Sequence, residues 1–350
     1  MNRIKILVAV VVFFVLLSGN VFAQGEAAAE FLLISPGARA GGMGEANVAI
    51  ANDATTVFWN PAGLGFIEDH EFSIMHSNWL PQFNLSDLYY DFASYVHNIE
   101  DIGTFGISAT YLSLGEQEGR DERNNPTGVF NAYNMAIGAS YGTKIRENLG
   151  LGLTMKYIYL KLADTGTGAE KGKGTAGSIG VDVGVLYKPD FLGRLTIGAN
   201  LSNMGPKVAF IDAAQADPLP TNLKVGFAYQ LLEGRYNRLV ATVDFNKLLV
   251  VKHEDGTSDP FYKAIFTAFT DKHQRSLKRI SSAVGFEYWY SNLIALRFGH
   301  FYEDIGKRRF WTFGAGIRYS IYGFDFGYIA ANKEGSPLAD TMRFSLSFKF

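Results

Sequence analysis

The sequence predicts an all-β fold, a transmembrane antiparallel β-barrel of about 14 strands with an N-terminal plug inside its lumen. Three observations carry this. The last ten residues alternate strictly, with Met342, Phe344, Leu346, Phe348 and Phe350 on one face and Thr341, Arg343, Ser345, Ser347 and Lys349 on the other, since successive side chains of a strand point to opposite faces. The same alternation recurs from about residue 70 onward, as in Leu149/Leu151/Leu153/Met155/Tyr157/Tyr159, Ile179/Val181/Val183/Val185/Tyr187 and Trp311/Phe313/Ala315/Ile317/Tyr319. The chain is also 47% hydrophobic and 14% aromatic but only 19% charged. That is aromatic and charge-poor for a soluble domain, and it fits strands with one face on lipid and aromatic girdles at both rims.

Taken from the start, Arg3 and Lys5 precede an apolar run from Ile6 to Leu17, and Val21 and Ala23 supply small residues before a cleavage point. Residues 1–23 therefore read as a secretory signal peptide. The run is shorter than the roughly 20 residues a spanning helix needs. Removing Arg3 and Lys5 leaves 30 basic against 34 acidic side chains, a charge of −4, and no nucleic-acid partner is expected from that balance. The chain contains no cysteine, which excludes disulfides, thiolate metal sites and a lipoprotein cysteine.

Residues 24–66 differ from the remainder of the chain. Ala27 to Ile34 has the composition of a short helix or an extended arm, and Ser35 to Gly44 and Trp59 to Gly65 are dense in Gly and Pro, which suits a barrel strand poorly. A segment of this kind at membrane depth must satisfy its backbone inside protein, so it is expected as a plug, with Arg39, Gly41, Gly42, Gly44, Asn60 and Pro61 as its candidate motif. Residues 67–350 form the barrel. In its strands the interleaved residues are mostly small or polar, such as Gly180, Asp182 and Gly184, or Thr312, Gly314, Gly316 and Arg318, which suits a crowded or wet lumen.

Connection lengths give the orientation, because outer-membrane barrels have short periplasmic turns and longer extracellular loops. Short links are expected near residues 98–102, 144–148, 188–193, 232–236, 290–292 and 321–323, and long ones near 78–87, 115–130, 161–175, 203–220 and 331–340. The link at 303–307 is shorter and takes the outer side by parity. Strict alternation then makes Val250 to Arg279 a single extracellular excursion, even though Phe261 to Phe269 has the look of a strand. Phe344, Phe348 and Phe350 mark the barrel-closing strand.

Signals for chemistry are weak. The glycines of 37–44 lack the Lys-Ser/Thr of a phosphate-binding loop. The six histidines show no metal-ligand spacing, although His70 and His76 are placed for one face of a strand. No G-x-S-x-G elbow occurs, and no enzymatic activity, cofactor or metal is expected. Asp271 to Arg279 is basic and extracellular by parity, giving Lys272, His273, Arg275, Lys278 and Arg279 as a candidate partner-docking loop; a solvated loop or a contact with lipopolysaccharide phosphates is the plainer alternative. Glu116, Glu118, Asp121 and Glu122 lie in another outer loop, diluted by Arg120 and Arg123.

Phe31 to Ala46 and Phe58-Trp-Asn-Pro-Ala-Gly63 resemble the N-terminal signature of the PorV/PorQ family, which is related to the FadL-type transporters of hydrophobic compounds. Further matching segments are Leu219 to Gly226, Asp244 to Val250, Glu287 to Tyr290 and Pro337 to Phe350, and the Asp-x-Asn-Lys-Leu and Pro-Thr-Asn-Leu-Lys stretches tilt the likeness to the PorV branch. The resemblance implies a 14-stranded, FadL-like barrel of the type IX secretion system in the outer membrane of a Gram-negative-type bacterium. Its implied partners are a large translocon barrel of the SprA type, the C-terminal signal domains of secreted cargo and a sortase-containing attachment complex. The alternative is a FadL-type transporter carrying hydrophobic small molecules across the outer membrane.

Overall fold

Fourteen antiparallel strands close on themselves in sequence order, each paired with its chain neighbours and the first with the last. The computed structural model describes residues 27–121, 123–164, 174–210, 215–272, 274–331 and 336–350. The expected signal peptide lies outside the described residues, as do Glu122 and His273. The first seven strands are β1 (Glu71–Asn78), β2 (Leu88–Ile99), β3 (Gly103–Arg120), β4 (Pro126–Arg146), β5 (Leu149–Lys161), β6 (Thr175–Tyr187) and β7 (Leu195–Met204). The rest are β8 (Asn222–Glu233), β9 (Asn237–Leu248), β10 (Ile280–Tyr290), β11 (Ile294–Glu303), β12 (Arg308–Tyr319), β13 (Tyr322–Ala330) and β14 (Met342–Lys349).

The barrel is inverted relative to a soluble domain. Ile107, Ile137, Leu153, Met155, Ile179, Leu296 and Phe313 are exposed on the outer wall, whereas Ser94, Thr154, Asp182, Asp244, Glu287, Arg297 and Arg343 are buried on the inner one. Period-two alternation produces this directly, and a closed ladder leaves no strand edge for lipid to face. On β2 to β5 the outer wall carries a run of tyrosines at the loop end, Tyr89, Tyr111, Tyr133 and Tyr159, with neighbouring ring centroids 5.4 to 6.1 Å apart. Such a girdle marks a membrane–water boundary.

Closure depends on the two ends of the barrel chain. Glu71 to Ser77 of β1 pair with Lys349 to Arg343 of β14. One residue further, His70 and Phe350 exchange backbone hydrogen bonds of 2.9 Å in both directions. Phe72 of β1 meets Phe348 across this seam, and Phe344 and Phe350 are exposed on the outside.

The His70–Phe350 end of the seam lies at the end with short turns, where left-handed backbone at Asp101, Ser291, Asn292 and Ser320 reverses the chain tightly. The opposite end carries the longer connections. One expectation needs correction there and another holds. Residues 115–130 are mostly strand, because β3 and β4 pair on to Arg120 and Pro126 past register shifts at Ser113/Glu116 and Gly119/Arg120; the positive φ of Gly115, +75°, accommodates the first of them. In the 250–279 excursion Phe261–Thr267 is a helix, so the strand-like look of that stretch came from aromatic content while parity was obeyed.

Between Glu30 and Phe66 the chain forms only short helical turns, Glu30–Leu33, Ala38–Gly41, Thr56–Trp59 and Pro61–Phe66. Ala38, Met43, Ala46, Val48, Trp59 and Leu64 are fully or almost fully buried, packed against the inner faces of the strands.

Candidate functional site

The motif residues of the N-terminal segment all meet the inner wall. Arg39 grips Glu287 of β10 with two hydrogen bonds, 2.8 Å from Nε and 2.7 Å from Nη2, and reaches Asp53 at 2.8 Å. Glu287 also accepts from Arg297 of β11 at 2.7 Å; Arg297 continues to Asp325 of β13 at 2.9 Å, and Arg318 of β12 to the same carboxylate at 2.6 Å. The side chains of Arg297 and Glu287 are 0% and 1% exposed. Charges this deep persist only when paired, and here each cation shares an anion with the next. Trp289 sits within the group, its ring 5.5 Å from the Arg297 guanidinium and 5.3 Å from that of Arg318.

A separate pair joins Arg343 of β14 to Glu45 at 2.6 Å. Burial opposes ionisation of Glu45, but the Arg343 guanidinium outweighs it and holds the carboxyl below the ordinary carboxylate range. Gly41 lies against the Arg343 side chain. Gly42 faces Gly314 of β12 so closely that a Cβ on it would fall 2.8 Å from the Gly314 Cα. Gly44, at φ +67°, donates to Thr312 Oγ1 at 2.7 Å and leaves no space for a side chain beside the His300 backbone. Asn60 donates to the Val48 and Val185 carbonyls at 3.0 Å each and accepts from Ala62 N–H. Pro61 packs on Gly142 and Gly152. The glycine run that resembled a phosphate cradle is thus a close-approach surface.

The β2–β6 side of the lumen is built differently. Phe31, Leu32, Val57 and Leu64 from the N-terminal segment pack with Tyr90, Phe92, Val96, Leu112, Ile158 and Leu160 from the wall. Two cavities next to this cluster measure about 10 Å³ each; one is lined by Leu32, Phe58, Ser108, Lys156 and Asp182 among others, and the second by Leu33, Asn203 and Lys224 among others. That is the lower bound for a single water.

At the loop end, Lys272 and Arg275 are exposed and Lys278 and Arg279 half-buried in the stretch leading into β10, while Gln274 between them is buried. Sequence reasoning missed their apolar neighbours: Tyr262, Phe266, Phe269 and Leu277 are 64%, 74%, 50% and 65% exposed. The i, i+4, i+7 spacing of the three aromatics was the available signal. Asp259 precedes the helix and accepts from Lys263 at 2.7 Å, His253 at 3.0 Å and Thr267 at 2.8 Å. Burial works against its ionisation, yet these hydrogen bonds prevail and hold the carboxyl at about 2.

Two other expectations resolve plainly. His70 and His76 do not share a site: His76 lies on the outer face of β1 with Asp91 at 2.6 Å, and His70 precedes the strand, stacked on His97 at 4.2 Å. Of the acidic outer loop, Glu118 pairs with Arg120 at 2.8 Å and Asp121 caps its own turn by accepting from the Arg123 and Asn125 N–H groups.

Comparison with known proteins places this geometry. A family model described as "Type IX secretion system protein PorV" matches residues 23–255. No curated protein matches the chain. Among solved structures, the toluene transporter TbuX of Ralstonia pickettii is 14% identical, with 91% of this chain and 99% of that one covered and a TM-score of 0.50. The toluene transporter TodX of Pseudomonas putida is 14% identical, covering 90% and 96%, at 0.50. A deltaS2S3 mutant of the TodX monoaromatic hydrocarbon channel is 15% identical, covering 90% and 98%, at 0.53. At these identities the likeness is one of fold.

Proposed function

The chain belongs to the PorV family of type IX secretion system proteins, and on that premise we propose that it is a non-enzymatic shuttle and accessory subunit of that system. It is an outer-membrane barrel with its apolar wall in lipid. The short-turn end faces the periplasm and the loop end the cell exterior. In this role residues 24–66 act as a plug that closes the interior, and work is done at the rim. The loop end engages a large translocon barrel of the SprA type, accepts the C-terminal signal domain of secreted cargo and passes it to a sortase-containing attachment complex. Lys272, Arg275, Lys278 and Arg279, with His273 between the first two in sequence, form the basic part of the docking loop, where charge steers and orients an acidic partner.

The observation that carries this reading is the ionic tether from Asp53 and Arg39 through Glu287 and Arg297 to Asp325. It fixes the N-terminal segment to residues of three strands, β10, β11 and β13, and leaves the interior unsuited to traffic. A transporter of apolar small molecules needs a pocket of roughly 300 Å³ or more, and the cavities next to the segment hold about 10 Å³.

Affinity-tagged protein extracted in mild detergent is expected to retain a much larger barrel protein together with secreted cargo. Recovery of fatty acid or monoaromatic compounds in their place would favour the transporter. Removing residues 250–279 is expected to leave membrane insertion intact and to weaken partner capture at least tenfold, a loss of about 1.4 kcal/mol; unchanged capture would remove that loop from the docking role.

A further inference from the structure

The 250–279 excursion does not stand above the barrel mouth along its whole length. Its helix, Phe261–Thr267, is seated on the outside of the wall. Ile265 and Ala268 pack with Leu249, Val251, Leu201 and Leu223. Leu201 and Leu223 face outward, because the residues adjacent in sequence face in: Asn200 donates to the Trp59 carbonyl at 3.1 Å, and the Lys224 ammonium lies 4.6 Å from the Trp59 ring. Leu201 is the seventh residue of the ten-residue β7, well within the 9–11 residues with which a tilted strand crosses the hydrocarbon layer. The helix therefore leans on the lipid-facing belt.

It also covers a charge on that belt. Lys247 pairs with Leu223 and Ile280 across the outward row; its ammonium donates to the Gln274 carbonyl at 2.6 Å and lies 5.5 Å from the Phe269 ring. A lysine on the lipid face is costly toward the bilayer midplane, and Phe269 and Gln274 cover this one. The surface that replaces it is apolar again: Tyr262 and Phe266 of the helix are exposed, Phe269 just after it is half exposed beside the Lys247 ammonium, and exposed Val183 and Phe245 lie on the strands nearby. Lys272 and Arg275 are exposed just beyond the aromatics.

We propose that the aromatic face of Phe261–Thr267 is embedded in the outer leaflet, as a short in-plane helix clasped to β7–β9, with Lys272 and Arg275 at the level of the phosphorylated headgroups. The occupant is lipid because the helix is continuous with the belt that lipid already covers. Aromatic side chains below cations are also the arrangement of interfacial helices. The inference goes beyond the docking role and does not depend on which protein binds at the rim.

The absence of cysteine from the chain makes the test direct. Single-cysteine variants F266C, L153C on the exposed belt and E254C in the exposed turn before the helix would each carry a nitroxide label on the full chain. The chain is reconstituted in vesicles of phosphatidylethanolamine and phosphatidylglycerol. The F266C label is expected to match L153C, with collision by oxygen favoured over a water-soluble nickel chelate several-fold more than at E254C. A label at F266C as open to the chelate as E254C overturns the proposal. So does protection that develops only when a membrane-protein partner is added, which would assign the face to a neighbouring barrel. Phe266 is 74% exposed, so its replacement leaves the fold intact, and an unchanged L153C signal in lipid verifies the barrel.

Discussion

One short segment is held to two walls of the same barrel by different forces. On the β10–β14 side Arg39 and Glu45 meet Glu287 and Arg343 through charge-assisted bonds of 2.6 to 2.8 Å. On the β2–β6 side Phe31, Leu32, Val57 and Leu64 meet Phe92, Val96, Ile158 and Leu160 through apolar contact. Charged pairs demand partners at fixed positions and tolerate no slippage, whereas apolar contact rewards buried area without direction. The ionic wall therefore sets the register of the segment, and the apolar wall contributes affinity. A segment with almost no regular secondary structure needs both.

The comparison can be broken at its most directional point. Glu287→Gln leaves Arg39 and Arg297 without their shared charge and is expected to destabilise the folded barrel by about 3–5 kcal/mol, seen as a lower temperature at which the heat-modified band appears in gel electrophoresis. Ile158→Val on the apolar wall, at a side chain 0% exposed, is expected to cost about 1 kcal/mol by the same assay. If the walls act independently, the double variant should equal the sum of the two within about 0.5 kcal/mol; a larger discrepancy would show that seating on one wall depends on the other. The smallest effect lies outside the lumen. Asp259 has its carboxyl depressed from 3.8 to about 2 in the folded loop, so its stabilisation is full above 3.8 and disappears as pH falls through about 2. Amide exchange in residues 252–270 is expected to quicken across that interval, and Asp259→Asn should abolish the pH dependence without altering barrel melting.

The barrel was legible because it is written in a two-residue period that every strand repeats, down to Met342, Phe344 and Leu346 outward and Arg343 and Ser345 inward. Parity even rejected Phe261 to Phe269 as a strand. The segment at 30–66 was legible by its glycines and prolines, and the small residues interleaved in the strands proved to be its contact sites, as with Gly314 against Gly42. The pairing of Arg39 with Glu287, 248 residues apart, was not legible, because nothing local links the two positions. Nor was the seat of the 261–267 helix on the outer wall, since a single aromatic stripe does not say whether it faces water, protein or lipid. The basic character of 272–279 was visible, but the buried Gln274 that splits it was not.

The occupied interior has a consequence for the cell. An open cylinder of this width would leak ions and nutrients in proportion to its copy number. In the plug role proposed above, the N-terminal segment, fastened to β10 and β14 on one side and set among Phe92, Ile158 and Leu160 on the other, would close the bore. Many copies of a barrel closed in that way would stand in one envelope without adding to its passive permeability.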